Sequence, residues 1–205
     1  TDGTQAVNCA SPFVEFVVFA GGVCDASTTA NDISRILVQV VNGPDVTTNG
    51  FDFSLNYDGD FGPYAFSGGL NATYTAEYEF GEFVYEGLTF DGAYDAAGFA
   101  NYNRAPGTVS PWRASGFASF SRGRYNATYS VTYIDGVEDN RCPSNAACTQ
   151  TPEFGDTNFA RTVESYTQHD LTGSVDLSAL GADLQLQVGV ENMFDTDPPA
   201  ARLEL

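Results

Sequence analysis

The chain has 205 residues and a formal net charge of −19, because 27 Asp and Glu residues outnumber 8 Lys and Arg residues. A negative field of this size repels nucleic acid, so we expect no DNA or RNA partner. No run of residues approaches the ~18 apolar residues of a membrane helix, and the many Gly, Tyr and Phe residues favour strands and turns.

Alternating apolar and polar residues predict about nine β-strands, because successive side chains of a strand point to opposite faces. The segment "RYNATYSVTYID" (124–135) is the clearest, with an apolar residue at every second position from Tyr125. The even positions of residues 64–78, up to and including Tyr78, form another apolar face. In chain order the predicted strands include residues 13–20, 33–41, 51–58, 64–78, 110–121, 124–135, 163–177 and 182–194.

The connections between these strands alternate between short and long after residue 58. Short turns are predicted at residues 58–62, 121–124 and 178–182, and long connections at residues 79–108 and 136–161. Short turns at one end of a sheet and long loops at the other are typical of membrane β-barrels. We find no linker, and therefore predict no second domain.

The apolar face carries large aromatic residues near both ends of a strand. Trp112 and Phe120 are eight residues apart, as are Tyr125 and Tyr133, and mostly small residues lie between them. Eight residues span ~26 Å along a strand, or ~20 Å of height at a tilt of ~40°, which is close to the ~25 Å apolar band of a membrane barrel. The opposite face is rich in Ser, Thr, Asn, Gln and Gly, which suits a wet interior. The pattern favours a membrane barrel, with a soluble β-sandwich as the alternative.

The four cysteines suggest two disulfide bonds. Cys142 and Cys148 enclose five residues, and Cys9 and Cys24 form a second, wider pair. We expect both pairs to be oxidised, as in proteins of an oxidising compartment. A zinc site is the alternative, but Cys-x5-Cys is a poor zinc spacing and His169 is the only histidine.

The end of the chain contains a motif that points to a known family. The alternating segment "LQLQVGV" is followed by Asn192, Met193, Phe194 and Asp195, and then by Pro198 and Pro199. This segment resembles the penultimate-strand signature of TonB-dependent outer-membrane receptors. Residues 41–57, 69–80 and 111–139 resemble further pieces of that family in the same order, so the resemblance covers about residues 31–200.

The resemblance implies an all-β, antiparallel, up-and-down transmembrane β-barrel of about 22 strands in the outer membrane, of which this chain supplies about nine. Residues 1–205 are expected to be a C-terminal segment of that barrel, without the family's plug domain and last strand. Residues 121–124 would then be a periplasmic turn, and residues 79–108 and 136–161 would be extracellular loops.

The resemblance also implies a function and a set of partners. The family imports a scarce nutrient, such as a siderophore, cobalamin, an oligosaccharide or a peptide. The energy comes from the TonB complex, which acts through the plug. Outer-membrane lipid, the TonB complex and a small nutrient ligand are therefore the expected partners.

We find no arrangement of residues that is typical of an enzyme, so we expect no catalytic activity. His169 and Asp170 are adjacent, but neighbouring residues of a strand point to opposite faces and would not act together. No cofactor or resident metal is expected, although the acidic segments 57–62 and 135–140 are candidates for Ca²⁺ binding. Solvated acidic turns are the simpler interpretation of both segments.

Ligand contacts are expected from the long loops and from the polar face. Residues 79–108 are rich in Tyr, Phe and Asp, and we select Tyr94, Tyr102 and Arg104 as candidate ligand-binding residues. Aromatic rings with a few charged groups can stack on sugars or bind a cationic or metal-chelated ligand.

Two other functions stay open on the sequence alone. One is a secreted or surface-displayed structural or adhesive β-protein that assembles with copies of itself. The other is a small outer-membrane barrel that is complete in itself.

Overall fold

The structure is a computed structural model. It describes residues 5–38, 40, 42–85, 87–102, 104–140, 162–177 and 184–199, and it gives the backbone alone at residues 148–149 and 158–159. The predicted Cys142–Cys148 disulfide, the predicted turn at 178–182 and most of the connection at 136–161 lie outside the described residues.

The described residues form strands and two 3₁₀ helices, Pro12–Phe16 and Ala30–Asp32. In chain order the strands are β1 (Val17–Phe19), β2 (Ile33–Ile36), β3 (Val46–Phe61), β4 (Tyr64–Phe80), β5 (Phe83–Tyr85), β6 (Leu88–Asp91), β7 (Tyr94–Asp95), β8 (Trp112–Arg122), β9 (Tyr125–Ile134), β10 (Val137–Glu138), β11 (Cys148–Thr149), β12 (Asn158–Phe159), β13 (Thr162–Val163), β14 (Tyr166–Asp176) and β15 (Gln185–Val190). Within the described ranges, no helix is long and apolar enough to cross a membrane.

The main sheet is antiparallel and follows the chain up and down. Its strand order is β15-β14-β9-β8-β4-β3, and β7 pairs with the end of β4. The six long strands of this sheet correspond to six of the predicted strands, from residues 51–58 to residues 182–194. The prediction of an all-β, antiparallel fold is therefore confirmed. The remaining strands form two-stranded sheets, β1–β2, β5–β6, β10–β13 and β11–β12.

The chain divides into two compact units, although no second domain was predicted. The N-terminal unit contains Thr1–Asp45 and Gly81–Gly92, and the sheet unit contains Val46–Phe80 and Ala93–Leu205. The sequence shows no change of composition at Asp45, and the N-terminal unit takes a second segment from a connection between two strands of the sheet. A division of this kind follows from contacts in space and has no signal along the chain.

A disulfide and a tight turn hold the N-terminal unit. Cys9 and Cys24 form a disulfide with their Cα atoms 5.6 Å apart, as predicted. In the turn that follows, the Asp25 carboxylate accepts hydrogen bonds from the backbone N–H (2.8 Å) and the hydroxyl (2.6 Å) of Ser27. These bonds favour the charged form, so the pKa of Asp25 lies below its usual value.

Two predictions in the N-terminal unit are partly wrong. Residues 13–20 were predicted as one strand, but their first half is the 3₁₀ helix Pro12–Phe16. Ser11 starts this helix because its side chain accepts a hydrogen bond from the backbone N–H of Phe13, and proline suits the first helical position. The predicted strand at 33–41 ends already at Ile36.

Two tight turns lie at the same end of the main sheet. The turn between β3 and β4 contains Gly62 and Pro63, and the turn between β8 and β9 contains Gly123 and Arg124. Gly62 and Gly123 have φ angles of +63° and +57°, which glycine adopts without strain. The predicted turn at 58–62 is thus shorter than expected, because β3 continues to Phe61. The long connections from β4 to β8 and from β9 to β14 leave from the opposite end.

A β-bulge lies near the long-connection end of β3. Asn49 pairs with Glu77 whereas Gly50 pairs with Thr75, so β4 contains one extra residue at this point. Glycine is required at position 50, because a Cβ atom there would collide with the carbonyl oxygen of Tyr74.

The bulge makes the predicted position of Tyr78 wrong. An extra residue reverses the alternation of side chains beyond it, since the period of a strand is two. Tyr78 therefore lies on the polar face, where it lines a pocket with Thr73, Thr75 and Arg113.

Candidate functional site

Alternate residues of the six long strands form one apolar face of the main sheet. The register aligns Leu55, Leu70, Gly116 and Val131 in one row across four strands. Many large side chains on this face are exposed, and Phe51 has 67% of its surface accessible. The exposed residues include Phe51, Phe53, Leu55, Tyr57, Leu70, Trp112, Phe120, Tyr125, Leu171, Leu186, Val188 and Val190. A soluble β-sandwich would bury such a face, so an apolar surface of this extent indicates a nonpolar surrounding.

Two rows of aromatic rings border the apolar face. At the long-connection end, the ring centroid of Tyr74 lies 5.4 Å from that of Phe51 and 4.6 Å from that of Trp112. At the short-turn end, Phe66 lies 5.7 Å from Tyr57 and 4.8 Å from Phe120. Eight residues separate the two rows on β4 and on β8, and the rows resemble the aromatic girdles of a membrane barrel.

His169 and Asp170 lie on opposite faces of the sheet, as predicted. His169 is on the apolar face, where its Nδ1 atom is hydrogen-bonded to the hydroxyl of Tyr129 and its ring contacts Phe194. Asp170 is on the polar face and accepts hydrogen bonds from Gln168 (2.9 Å) and from the backbone N–H of Asn192 (2.8 Å). The two side chains therefore have separate environments.

Hydrogen bonds between neighbouring strands cover the polar face. The hydroxyl of Ser54 donates to Asn71 (2.9 Å), and the amide of Asn126 donates to the hydroxyl of Ser119 (2.9 Å). These small uncharged side chains are hydrogen-bonded to each other and can also accept contact with water. This face is suited to line a water-filled interior.

A pocket of about 260 Å³ opens on the polar face near its long-connection end. The described residues that line it are Thr48, Thr73, Thr75, Tyr78, Thr108, Val109, Ser110 and Arg113. Hydroxyl groups dominate this lining, and Arg113 is the charged residue in it. A guanidinium beside several hydroxyls is an arrangement that binds carboxylate or phosphate groups. The sequence analysis did not select this pocket, because the bulge that turns Tyr78 into it is not visible in the alternation.

A second pocket of about 320 Å³ lies at the short-turn end of the same face. Asp58 and Asp60 line it together with the hydroxyls of Ser67, Ser119 and Ser121. The described residues contain no cluster of three His, Cys, Asp or Glu side chains that could hold a metal ion. Calcium binding at residues 57–62 or 135–140 stays a prediction.

The second half of the long connection after β4 folds into a compact cluster with residues that follow β9. We name residues 94–102 and 104–110 with residues 137–139 the loop cluster. Bridges join Ala97 to Val109 and Phe99 to Glu138, and β10 continues the pairing to β13. The loop cluster contains the buried residues Ala96, Ala100, Asn101, Ser110, Val137 and Asp139.

Asn101 is at the centre of the loop cluster and was not selected from the sequence. It is 1% exposed and has a φ angle of +47°, a conformation that asparagine tolerates better than most residues. Its side-chain amide donates to the backbone carbonyls of Ala96 (2.9 Å), Phe99 (3.1 Å) and Gly107 (3.1 Å). This side chain therefore joins three backbone carbonyls of the loop, and those of Ala96 and Phe99 also accept backbone N–H groups within the loop cluster.

The structure brings two of the three predicted ligand-binding residues together. The guanidinium of Arg104 lies 3.9 Å from the centroid of the Tyr94 ring, and its Nε donates to the side chain of Asn101 (3.2 Å). The Tyr94 hydroxyl donates to the carbonyl of Ala105 (2.8 Å). Tyr102, which is 37% exposed, belongs to the same loop. The contacts of Tyr94 and Arg104 stabilise the loop, and ligand binding by the three residues stays a prediction.

The motif after β15 forms a turn that returns towards β14. Asn192 has a φ angle of +48°, and its side chain both donates to the carbonyl of Thr196 (3.1 Å) and accepts from its N–H (3.0 Å). The backbone N–H of Met193 donates to the carbonyl of His169 (2.8 Å). Asparagine is suited to this position because it tolerates the left-handed conformation and supplies both a donor and an acceptor.

A family model described as TonB dependent receptor-like, beta-barrel, matches residues 15–193 of the chain. The chain belongs to this family. The match includes both long loops, the aromatic rows and the first part of the motif at Asn192. Comparisons with curated proteins and with solved structures found no match.

The family identifies the two faces of the sheet. TonB-dependent receptors are outer-membrane transport proteins and not an enzyme family, and their barrels expose apolar residues to lipid and polar residues to the lumen. The apolar face of this chain corresponds to the lipid-facing side of such a barrel, and the polar face corresponds to the lumen side. The family match favours a transport receptor over a self-assembling adhesive protein. The number of strands in the complete barrel stays a prediction.

Proposed function

We propose that this chain forms part of the barrel of an outer-membrane receptor that imports a scarce nutrient with energy from the TonB complex. The observation that carries the proposal is the pair of unlike faces on one sheet. The exposed apolar face, bordered by aromatic rows, supports a position in a lipid bilayer. The hydrogen-bonded polar face supports a water-filled passage on the other side.

The Arg113 pocket suggests which part of a ligand the lumen would contact. A carboxylate or phosphate group can form charge-assisted hydrogen bonds with the guanidinium while hydroxyls of Thr73 and Thr75 bind neighbouring oxygen atoms. A siderophore, cobalamin, an acidic oligosaccharide or a peptide can each present such a group. Tyr94, Tyr102 and Arg104 would contact the same ligand earlier, from the loop side. Transfer through the barrel would then require the TonB complex and a plug domain.

Uptake by the full receptor in the cell that carries it tests this function. The probes are a labelled ferric siderophore, cobalamin, an oligosaccharide and a peptide, each supplied at low concentration. We expect deletion of the receptor to abolish uptake of one probe, and deletion of TonB to have the same effect. Unchanged uptake of every probe after deletion of the receptor would overturn the proposed function.

A substitution at Arg113 tests the pocket separately. Loss of a hydrogen bond from a charged group costs about 1.5–3 kcal/mol, so Arg113→Gln is expected to raise the half-saturating probe concentration about 10- to 150-fold. Arg113→Lys should have a smaller effect because the charge remains. Ser115→Ala is the matched control, since Ser115 lies on the same strand and face but does not line the pocket. Equal uptake by Arg113→Gln and the control would remove the pocket from the proposal and leave the receptor function intact.

A further inference from the structure

Two arginines lie at the tight turn between β8 and β9, at the short-turn end of the barrel. Arg122 is the last residue of β8 and pairs with Tyr125, the first residue of β9. Arg122 therefore shares the apolar face with Phe120, two residues before it. We name Arg122 and Arg124 the hairpin arginines.

Each hairpin arginine lies against a tyrosine of the outer surface. Arg122 Nη1 donates to the hydroxyl of Tyr64 (3.1 Å), and its guanidinium carbon is 5.0 Å from the centroid of that ring. The guanidinium carbon of Arg124 is 5.3 Å from the ring centroid of Tyr125. Both rings are exposed, with 45% of Tyr64 and 56% of Tyr125 accessible. Tyr64 thus holds the guanidinium of Arg122 on the apolar side, and Arg124 lies beside it at the turn, next to Tyr125.

Charges at this end of the barrel are separated by face. Asp58 and Asp60 lie on the lumen side, where they line the second pocket. No ion pair joins either hairpin arginine to a carboxylate within the part of the chain that the structure describes. A chain with a net charge of −19 therefore presents positive charge outward at this level.

The position of the hairpin arginines relative to the apolar band indicates that they lie at the level of the lipid headgroups. The aromatic row of Phe66 and Phe120 marks the edge of the apolar band, and the turn lies within a few residues of this row. Arginine and tyrosine at this level reach the headgroups of a bilayer, because their polar tips extend beyond the hydrocarbon while their stems stay in it.

We propose that the hairpin arginines bind the phosphate of an anionic phospholipid in the leaflet at the short-turn end of the barrel. A guanidinium pairs with a phosphate through two N–H groups, and two arginines on one hairpin can share one headgroup. The tyrosine rings orient the guanidinium groups before the lipid binds. This inference depends on the bilayer position of the barrel and is independent of which nutrient the receptor imports.

Native mass spectrometry of the full receptor tests the proposal. The receptor is released from micelles that contain equal amounts of phosphatidylglycerol and phosphatidylcholine, and the retained lipids are counted. We expect the wild type to retain phosphatidylglycerol in preference. One arginine near a charged membrane surface changes binding about fivefold, so Arg122→Gln and Arg124→Gln should each reduce the preference by about that factor.

Matched variants separate a lipid site from an effect of net charge. Arg113→Gln removes the same charge from the same strand but faces the lumen, and it should keep the preference of the wild type. The double variant Arg122→Lys/Arg124→Lys keeps the charge but not the paired N–H groups, so it should retain only part of the preference, and that part shows that the hairpin still folds. The proposal is overturned if the wild type shows no preference, or if Arg113→Gln and Arg122→Gln reduce it equally.

Discussion

The main sheet and the loop cluster are stabilised in different ways within one chain. In the sheet unit, the buried residues that the structure describes all belong to the loop cluster, at residues 96–110 and 137–139. The six long strands contribute none of them, and many of their large apolar side chains are exposed. In the bilayer position that we propose, lipid supplies the nonpolar contacts that a soluble protein obtains from its own core.

The loop cluster contains a small core of its own. Ala96 and Ala100 are fully buried, and the side chain of Asn101 binds the backbone around them. Because the amide of Asn101 is fully hydrogen-bonded within the loop cluster, we expect the cluster to be stable in water. The comparison predicts that the main sheet tolerates many apolar substitutions on its apolar face, whereas the loop cluster depends on a few specific side chains.

The largest expected effect is that of a charge on the apolar face. Leu70 lies halfway between Phe66 and Tyr74, so Leu70→Arg places a guanidinium near the middle of the apolar band. We expect the free energy of unfolding to fall by about 2–4 kcal/mol, which is the cost of arginine at the bilayer midplane. Urea titration of the full receptor folded into phospholipid vesicles measures this change.

The adjacent residue provides the control for this charge. Asn71 lies on the polar face and is hydrogen-bonded to Ser54, so Asn71→Arg places the same charge in a wet lumen. We expect Asn71→Arg to change the unfolding free energy by less than about 1 kcal/mol. If both variants lost the same unfolding free energy, the idea that one face contacts lipid and the other contacts water would be wrong.

The strands of the sheet were predictable because a period of two is a property of the sequence alone. Residues 51–58 and 124–135 alternate as β3 and β9 require, and their register follows from the apolar face. The position of Tyr78 was not predictable. It depends on the bulge opposite Gly50, and one extra residue reverses a face without changing the local pattern.

The loop cluster and the pocket were not predictable for a different reason. Phe99 pairs with Glu138, which follows β9, and no local signal in the sequence announces such a contact. Asn101 appears in the sequence as one polar loop residue among several. The motif at Asn192 was recognised through its resemblance to a family, but its left-handed backbone and its bonds to Thr196 are known only from the structure.

The second largest expected effect is the loss of stability of the loop cluster in Asn101 variants, and it should be the same with and without lipid. Asn101→Asp replaces the amide donor with an oxygen that faces the same backbone carbonyls, so we expect the loop cluster to lose about 2–3 kcal/mol. Asn101→Gly removes the side chain but keeps a residue suited to a φ angle of +47°, and it should cost less.

Hydrogen exchange measures this loss at the backbone N–H groups of Gly98 and Ala100. These groups donate to the carbonyls of Val109 and Glu138, both of which belong to the loop cluster. Exchange should accelerate by a similar factor in detergent and in vesicles. A loss that appears in only one of these media would contradict a water-stable core.

The smallest effect tests whether Tyr94 stabilises the loop cluster or binds the ligand. Tyr94→Phe removes one hydrogen bond to the carbonyl of Ala105 and leaves the ring, so the loop cluster should lose about 0.5–1.5 kcal/mol. Tyr94→Ala also removes the ring beneath Arg104 and beside Phe80, so its effect on hydrogen exchange should be larger.

Uptake by the same variants distinguishes the two roles of Tyr94. If the hydroxyl acts only within the loop, Tyr94→Phe keeps the half-saturating probe concentration of the wild type, while Tyr94→Ala raises it because the loop no longer positions Arg104. A Tyr94→Phe variant that exchanges hydrogen like the wild type but takes up the probe poorly would place the hydroxyl in contact with the ligand. The loop cluster would then contain part of the binding site. Its side chains would be required for ligand binding as well as for the stability of the loop.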